Sequence, residues 1–181
     1  NLNSPLNFIT ILGWEWSPNR ITPTTEYPYG DHNVYYFKES GSIFPTGNDR
    51  YNSLPELYQK LRLVDSKAEK VITIPHIGGA VANLEFHDPV IEPLLEICSV
   101  HGNFESFGQI ALDRGYKMGF VGGSDSHNGQ VGGFPPGGGE NHFVHGGLTA
   151  IFAKDLSRKS LYEAFINHRC YATTGKRILI D

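Results

Sequence analysis

An aspartate and a histidine stand two residues apart, as Asp125 and His127, directly after the apolar, glycine-rich run of residues 118–123. The run is typical of a buried strand, so both side chains are predicted to lie in the turn that follows it. α/β enzymes place catalytic groups at the carboxyl ends of strands. A carboxylate oxygen and an imidazole nitrogen together suit a divalent ion such as zinc, manganese or iron. The pair alone has low specificity, because small polar turns after strands are commonly structural.

Other predicted strands also have metal-binding residue types beside their ends. These residues are Glu15, His32, His76 and His101. In a parallel sheet or barrel, the carboxyl ends of strands meet on one face even when they are distant in sequence. The alternation of side chains along a strand puts Glu15, His76 and Asp125 on the apolar side, where a charge must be paired or metal-bound. These residues are therefore expected to meet on one face, where several of them together could bind a metal.

Each member of this set also has a structural alternative. Glu15 could form a salt bridge with Arg20, and His32 could be a turn residue whose ring bonds a carbonyl group. A single histidine after a strand is more often a hydrogen-bonded loop residue than a ligand. The functional interpretation depends on the five strand ends acting together.

Three further residues could support such a site. Glu96 and His101 could orient the ligands or protonate a leaving group, although Glu96 could equally be a paired strand residue. Arg169 could hold a phosphate oxygen, or it could be an ordinary arginine at a helix end.

The elements that would position these residues alternate between strands and helices. Helices are predicted after the capping residues Ser53 and Ser157 and over residues 107–116. Strands are predicted at residues 8–16, 33–37, 71–75, 94–100, 118–123, 148–153 and 177–180. This order indicates an α/β fold with a largely parallel sheet or barrel.

Composition indicates one folded domain and argues against several partner classes. The chain has 181 residues, of which 39% are hydrophobic, enough for a core. Its net charge is −4 and no basic patch is evident, so bulk nucleic-acid binding is not expected. No run is long enough to span a membrane. The two cysteines form no C-x-x-C motif, which excludes a cysteine-type zinc site.

Several segments resemble the polymerase-and-histidinol-phosphatase (PHP) superfamily. They run in order from Trp14 to Ile178 and read GWEWS, GDHNVYYF, IPHIGG, EICSVHG, GGSDSHNG, GGLTAIFA and HRCYATTGKRI. They are most similar to an uncharacterised bacterial branch with a YATTG-type segment. The resemblance implies a distorted (β/α)7 barrel that holds two or three divalent ions, here manganese, zinc or iron. Most members of the superfamily are metal-dependent phosphoesterases.

The resemblance also implies roles for individual residues. Glu15 would bridge two metals, and His32 and His76 would bind one metal of the cluster. Asp125 and His127 would bind the others, and Glu15, Asp125 and His127 would form the catalytic group. The expected reaction is hydrolysis of a small phosphorylated substrate by a metal-activated water, because the metals would supply the positive charge that phosphate needs.

The chain departs from the superfamily pattern at its beginning. The superfamily barrel opens with an H-x-H pair, whereas the first histidine here is His32. We therefore expect a single domain over residues 1–181 that is an incomplete or distorted (β/α)7 barrel without its first strands, within a longer polypeptide. Two alternatives stay open. One is a metal-dependent hydrolase of amides or cyclic esters on the same fold, and the other is a non-catalytic metal- or ligand-binding module with a degenerate site.

Overall fold

Strands outnumber helices in the part of this chain that the structure describes. The computed structural model describes residues 7–18, 28–46, 53–64, 70–77, 80–126 and 146–180. Within these ranges the chain forms eight strands, three α-helices and one short 3-10 helix, Leu84–Phe86. The strands belong to three separate sheets of three, three and two strands.

The first sheet is antiparallel, with the strand order β1–β2–β3. Its strands are β1 (Leu12–Trp16), β2 (His32–Tyr36) and β3 (Val71–Pro75). A 2.9 Å hydrogen bond from the His76 N–H to the Asp31 carbonyl continues the pairing of β2 with β3 by one residue pair. The carboxyl ends of β1 and β3 and the amino end of β2 therefore lie at the same edge.

Side-chain alternation gives this sheet two different faces. On one face, Trp16 and Val34 pack in a cluster with helix α1 (Leu54–Val64). On the other face, Ile72 and Ile74 belong to a second hydrophobic cluster. The cluster on this second face also contains side chains from the second sheet.

Helix α1 begins directly after Ser53, as the sequence predicts. Leu57 and Leu61 lie four residues apart, share one face, and are 0% and 1% exposed. Glu56 in the first turn and Arg62 in the last turn both have the sign of charge that the helix dipole favours.

The second sheet contains the only parallel pair among the described strands. Strand β4 (Leu94–Ser99) pairs with β5 (Gly102–Asn103) antiparallel and with β6 (Gly119–Gly122) parallel. The register of β4 against β6 shifts between Glu96 and Cys98. Such bulges bend a strand and redirect its side chains, and they are frequent next to functional sites.

Helix α2 (Glu105–Asp113) covers the second sheet. Its buried Phe107 and Ala111 pack in one cluster with Leu95 of β4 and Met118, which precedes β6. The connection from β4 through α2 to β6 is the one strand–helix–strand unit of the described chain that joins two parallel strands.

The third sheet is the antiparallel pair of β7 (Leu148–Ile151) and β8 (Cys170–Thr173), joined through α3 (Arg158–Ile166). Ser157 caps α3 as predicted, because its hydroxyl accepts a 3.2 Å hydrogen bond from the Ser160 N–H.

One hydrophobic cluster joins all three parts of the fold. Ile74 from the first sheet packs with Leu94 and Val121 from the second sheet and with Leu161 and Phe165 from α3. All five side chains are at most 8% exposed. This shared core fixes the positions of the strand ends relative to one another.

The prediction of an α/β fold with an incomplete or distorted (β/α)7 barrel is wrong. The described strands form small antiparallel and mixed sheets, with three short α-helices and no closed barrel. The error has a physical cause. A short apolar run reveals that a strand is buried, but it carries no information about the direction in which that strand pairs.

The positions of most individual elements were nevertheless predictable. Strand β3 matches the predicted residues 71–75, and β1, β2, β4, β6, β7 and the three α-helices begin within a few residues of their predicted starts. Strands β5 and β8 and the 3-10 helix were not predicted, and residues 177–180, which were predicted as the last strand, form none. The strand in this region is β8, which ends at Thr173.

Candidate metal centre

Six acidic and imidazole side chains meet beside the ends of β1, β3, β4 and β6. We call them the acid–histidine cluster, and its members are Glu15, Asp31, His76, Glu96, His101 and Asp125. Four members lie at or after the carboxyl ends of these strands, namely Glu15, His76, His101 and Asp125. Asp31 directly precedes β2, and Glu96 lies within β4. The prediction that distant strand ends converge therefore holds locally, although the sheets differ from the predicted barrel.

His76 is the centre of the cluster. Its Nδ1 lies 3.0 Å from Glu96 Oε2, and its Nε2 lies 3.4 Å from Asp125 Oδ2 and 3.9 Å from Glu15 Oε1. Burial alone would lower the pKa of His76, but hydrogen bonds to Asp125 and Glu96 and their negative charges outweigh it and raise the pKa to about 10. Without a metal, His76 is therefore an imidazolium at neutral pH.

Asp125 occupies an unusual backbone position three residues after β6. Its φ angle is 47°, in the left-handed region that aspartate tolerates better than most residues. Its Oδ2 lies 2.8 Å from His101 Nε2, so Asp125 links His76 to His101. Non-glycine residues held in this region are often found at functional sites.

Close backbone packing holds the turn that carries Asp125. The Gly147 N–H donates to the Gly123 carbonyl at 2.7 Å, and the Val100 N–H donates to the Ser124 carbonyl at 3.2 Å. A Cβ atom on Gly146 would lie 2.6 Å from Ser124 Cα, so only glycine fits there. The glycines of this region thus let the start of β7 approach the end of β6.

Glu15 and Asp31 complete the cluster from the first sheet. Glu15 pairs with Asn33 across β1 and β2, and Asp31 lies opposite His76, so all four share one face. Burial raises the pKa of Glu15; the charge of His76 acts in the opposite direction, and Asp31, Asp125 and Glu96 raise it further. Asp31 is 7% exposed, and its Oδ2 accepts a 3.0 Å hydrogen bond from the Ala80 N–H.

Asp31 is the member that the sequence prediction missed. It adjoins His32, and only one of two adjacent residues can face a given side of a strand. Asp31, Asn33 and Tyr35 alternate onto the same face of the chain at β2. This face could be recognised as the site face only from the antiparallel pairing of β2 with β1 and β3.

The structure does not bring His32 to the cluster. Its ring lies on the opposite face of β2, 1% exposed, with its edges against Trp16 and Tyr58. Its Nε2 lies 3.2 Å from Glu92 Oε1, and its Nδ1 lies 3.2 Å from the Gly30 carbonyl oxygen. The contact with a carbonyl group is the structural alternative that the sequence left open.

Glu92 organises a second buried network around His32. The other Glu92 oxygen lies 2.9 Å from His87 Nδ1, and the Tyr58 hydroxyl also donates to Glu92. Burial would raise the pKa of Glu92, but the hydrogen bonds from His32, His87 and Tyr58 lower it overall. Glu92 is therefore a satisfied buried carboxylate that joins β2, α1 and the segment before β4.

The two remaining predicted residues lie elsewhere. His127 lies outside the described residues. Arg169 is exposed directly before β8, whose first residue, Cys170, packs at the amino end of β6 beside Gly119. Asp125 follows the carboxyl end of β6, so Arg169 lies at the opposite end of that strand.

The ion pairs within the acid–histidine cluster each join one histidine to one carboxylate. Among the described residues, no three His, Cys, Asp or Glu side chains form a group arranged to hold a metal ion. The donor chemistry nevertheless fits a divalent cation. The set combines carboxylate oxygens with imidazole nitrogens, and the buried Glu96 Oε1 has no hydrogen-bond partner among the described residues. A cation would satisfy negative charge that is now balanced by a proton on His76.

Comparisons with other proteins identify relatives without a described activity. A family model described as a protein of unknown function (DUF3604) matches residues 137–181. An uncharacterized protein of Chlamydia trachomatis is 39% identical over 79 residues, which cover 39% of this chain and 11% of that protein. One of Chlamydia muridarum is 41% identical over 72 residues, with the same coverage of 39% and 11%. No solved structure matches the chain.

The chain therefore spans 11% of the length of the curated relatives that it matches. The matched family segment includes β7, α3 and β8, whereas the acid–histidine cluster lies before it. No helix within the described ranges has the length and apolar character needed to cross a membrane.

Proposed function

We propose that this chain contributes the metal centre of a metal-dependent hydrolase that acts on small phosphate esters. The observation that carries the proposal is the position of His76, which is held between Glu96 on one ring nitrogen and Asp125 and Glu15 on the other. Perturbed titratable groups that cluster at strand ends are typical of active sites.

Glu15, His76 and Asp125 would hold the metal, and His127, two residues beyond Asp125 in the sequence, would add a further imidazole. The mixture of nitrogen and oxygen donors favours manganese, zinc or iron over magnesium alone. Two or three ions would need more donors than these, and Asp31 is an additional carboxylate on the same face of the first sheet. His32 contacts Glu92 on the other face of the sheet and is not a ligand in this proposal.

When bound, the divalent ions would lower the pKa of a water ligand and stabilise negative charge on the phosphoryl oxygens. The residues of the chain have separate tasks. Glu15 and Asp125 supply the anionic oxygens that hold the cations. The side chain of His101 is 28% exposed and lies against Asp125, which places it to give a proton to a leaving alkoxide.

Substitution of the central residues tests the proposal. In the full-length protein, His76→Ala and Asp125→Ala are each expected to reduce bound manganese and to lower hydrolysis of phosphomonoesters and phosphodiesters by at least about 100-fold, since they remove ligands of the metal that would activate the water. Metal content is measured by elemental analysis and hydrolysis on a substrate panel. His168→Ala, an exposed histidine after α3, is the matched control.

The outcomes separate the candidate functions. Unchanged metal content in both variants would remove the proposed centre. Metal binding with hydrolysis of amides or cyclic esters but of no phosphate ester would change the substrate class and keep the centre. A non-catalytic binding module is the second candidate, favoured by the placement of His32 away from the cluster; metal binding without hydrolysis of any of these substrates would support it.

A further inference from the structure

Glu96 is a carboxylate that is almost completely removed from solvent. It lies in β4, 4% exposed, at the point where the register of β4 against β6 shifts. A carboxylate taken out of water costs several kcal/mol unless its oxygens are satisfied. Only one of its two oxygens is satisfied by the described residues, so stability alone does not account for Glu96.

The satisfied oxygen receives two donors. Glu96 Oε2 lies 3.0 Å from His76 Nδ1 and 3.2 Å from Asn33 Nδ2. A carboxylate oxygen accepts hydrogen bonds, so this contact gives the donor role to His76 Nδ1. The other ring nitrogen, Nε2, is thereby directed toward Asp125 and Glu15.

We infer that Glu96 is a positioning residue that keeps the proton of His76 on Nδ1 and presents Nε2 to a divalent cation, while the Asn33 amide holds Glu96 in place. Histidine ligands generally donate their second N–H to a carboxylate or carbonyl, which fixes the ring and makes the ligating nitrogen more basic. The inference rests on the proposed metal-dependent function and assigns roles to two residues that are not ligands in it.

Zinc affinity of the full-length protein tests this role, measured by competition with a chromogenic chelator. Glu96→Leu removes both oxygens at similar volume and is expected to weaken zinc binding by about 10- to 100-fold. Glu96→Gln keeps an acceptor for the Nδ1 proton but removes the charge, so a smaller, several-fold loss is expected. Glu85→Leu is the matched control, because the Glu85 side chain is 70% exposed.

A spectroscopic measurement distinguishes positioning from general damage. In wild-type protein loaded with ¹¹³Cd, the cadmium–nitrogen coupling of His76 is expected at Nε2, with a slowly exchanging proton on Nδ1. In Glu96→Gln and Glu96→Leu the exchange of that proton is expected to accelerate, because its carboxylate acceptor has been removed.

Each result decides something different. Coupling at Nδ1 in the wild type, or unchanged zinc affinity in a folded Glu96→Leu protein, overturns the inference. If Glu96→Leu does not fold, unchanged affinity in Glu96→Gln overturns it instead. A wild-type protein that binds none of manganese, iron, zinc and cadmium overturns the proposed function itself, whereas wild-type binding with unaffected variants overturns only the role of Glu96.

Discussion

At the scale of single residues, His76 decides the character of the site. It is the only histidine among the described residues with acidic neighbours on both ring nitrogens, and these neighbours come from three different parts of the chain. With a pKa of about 10, His76 carries a proton in the metal-free protein, and this proton balances the negative charge of the neighbouring carboxylates. A bound cation would balance the same charge in the metal-loaded protein. Proton and metal therefore compete for the same nitrogen.

This competition predicts that zinc affinity rises with pH. A histidine ligand must be neutral, so binding at His76 releases one proton over the whole range below about pH 10. The association constant is expected to increase about tenfold per pH unit between about pH 6 and 8, as measured by titration calorimetry in buffers of different ionisation enthalpy.

The variant His101→Asn serves as a comparison, because it leaves the contacts of His76 with Glu96 and Glu15 in place and should retain most of the pH slope. A zinc affinity that does not change with pH would mean that no protonated histidine is displaced, and would contradict the assignment of His76 as a ligand.

At the scale of elements, the face of each strand separates the site from the core. Asp31 and His32 are neighbours in sequence, yet one faces the acid–histidine cluster and the other packs with Trp16 and Tyr58. The sequence identified β3 correctly, and the structure brings Glu15, His76 and Asp125 together. The sequence could not assign the face of β2, because that depends on antiparallel pairing with β1 and β3, and pairing direction is a tertiary property.

The same argument explains why the sequence found most of the cluster and missed the fold. Glu15, His76 and Asp125 follow apolar runs, and such runs mark strand ends whatever the direction of pairing. Among the described strands, the β4–β6 pair, with α2 between its strands, is the one strand–helix–strand unit with the expected parallel pairing. Elsewhere antiparallel pairs form with the same apolar residues, so hydrophobic pattern alone cannot distinguish the two arrangements.

A comparison of two histidines tests this separation of faces. His32→Ala breaks the buried contact with Glu92 and is expected to lower the free energy of unfolding by about 3–5 kcal/mol, since it leaves a buried carboxylate without one of its partners. Bound metal per folded molecule should stay the same. Urea unfolding and elemental analysis measure the two quantities.

His76→Ala is the matched variant and should lose metal. If His32→Ala also lost metal while remaining folded, the network around Glu92 would have to communicate with the cluster, and the division of β2 into a core face and a site face would be wrong.

At the scale of the whole molecule, the cluster couples stability to pH and to metal. The cluster contains residues from one edge of the first sheet and residues beside β4 and β6 of the second sheet. The charges of its members therefore affect how strongly the two sheets are held together. The shared core of Ile74, Leu94 and Val121 lies between the same strands. A change in the charge of His76 is therefore a change in the stability of the fold.

The metal-free protein is expected to lose stability as pH rises. The pKa of His76 is about 10 in the folded chain and about 6.5 when unfolded, so its contribution is complete below about pH 6.5 and disappears as pH rises through about 10. Burial also raises the pKa of the Cys170 thiol to about 11, which adds a loss at the alkaline end. Urea unfolding between pH 6.5 and 8.5 avoids most of that second effect, and subtracting the curve of His76→Asn isolates the histidine.

Zinc should reverse this loss, because the cation replaces the departing proton. At a free zinc concentration about 100 times the dissociation constant, the gain in unfolding free energy is expected to be about 2.7 kcal/mol, and it should vanish in His76→Asn. An equal gain in wild type and variant would indicate that zinc binds elsewhere. A wild-type stability that stays constant from pH 6.5 to 8.5 would show that His76 does not hold its extra proton, and the charge balance assigned to the cluster would then be incorrect.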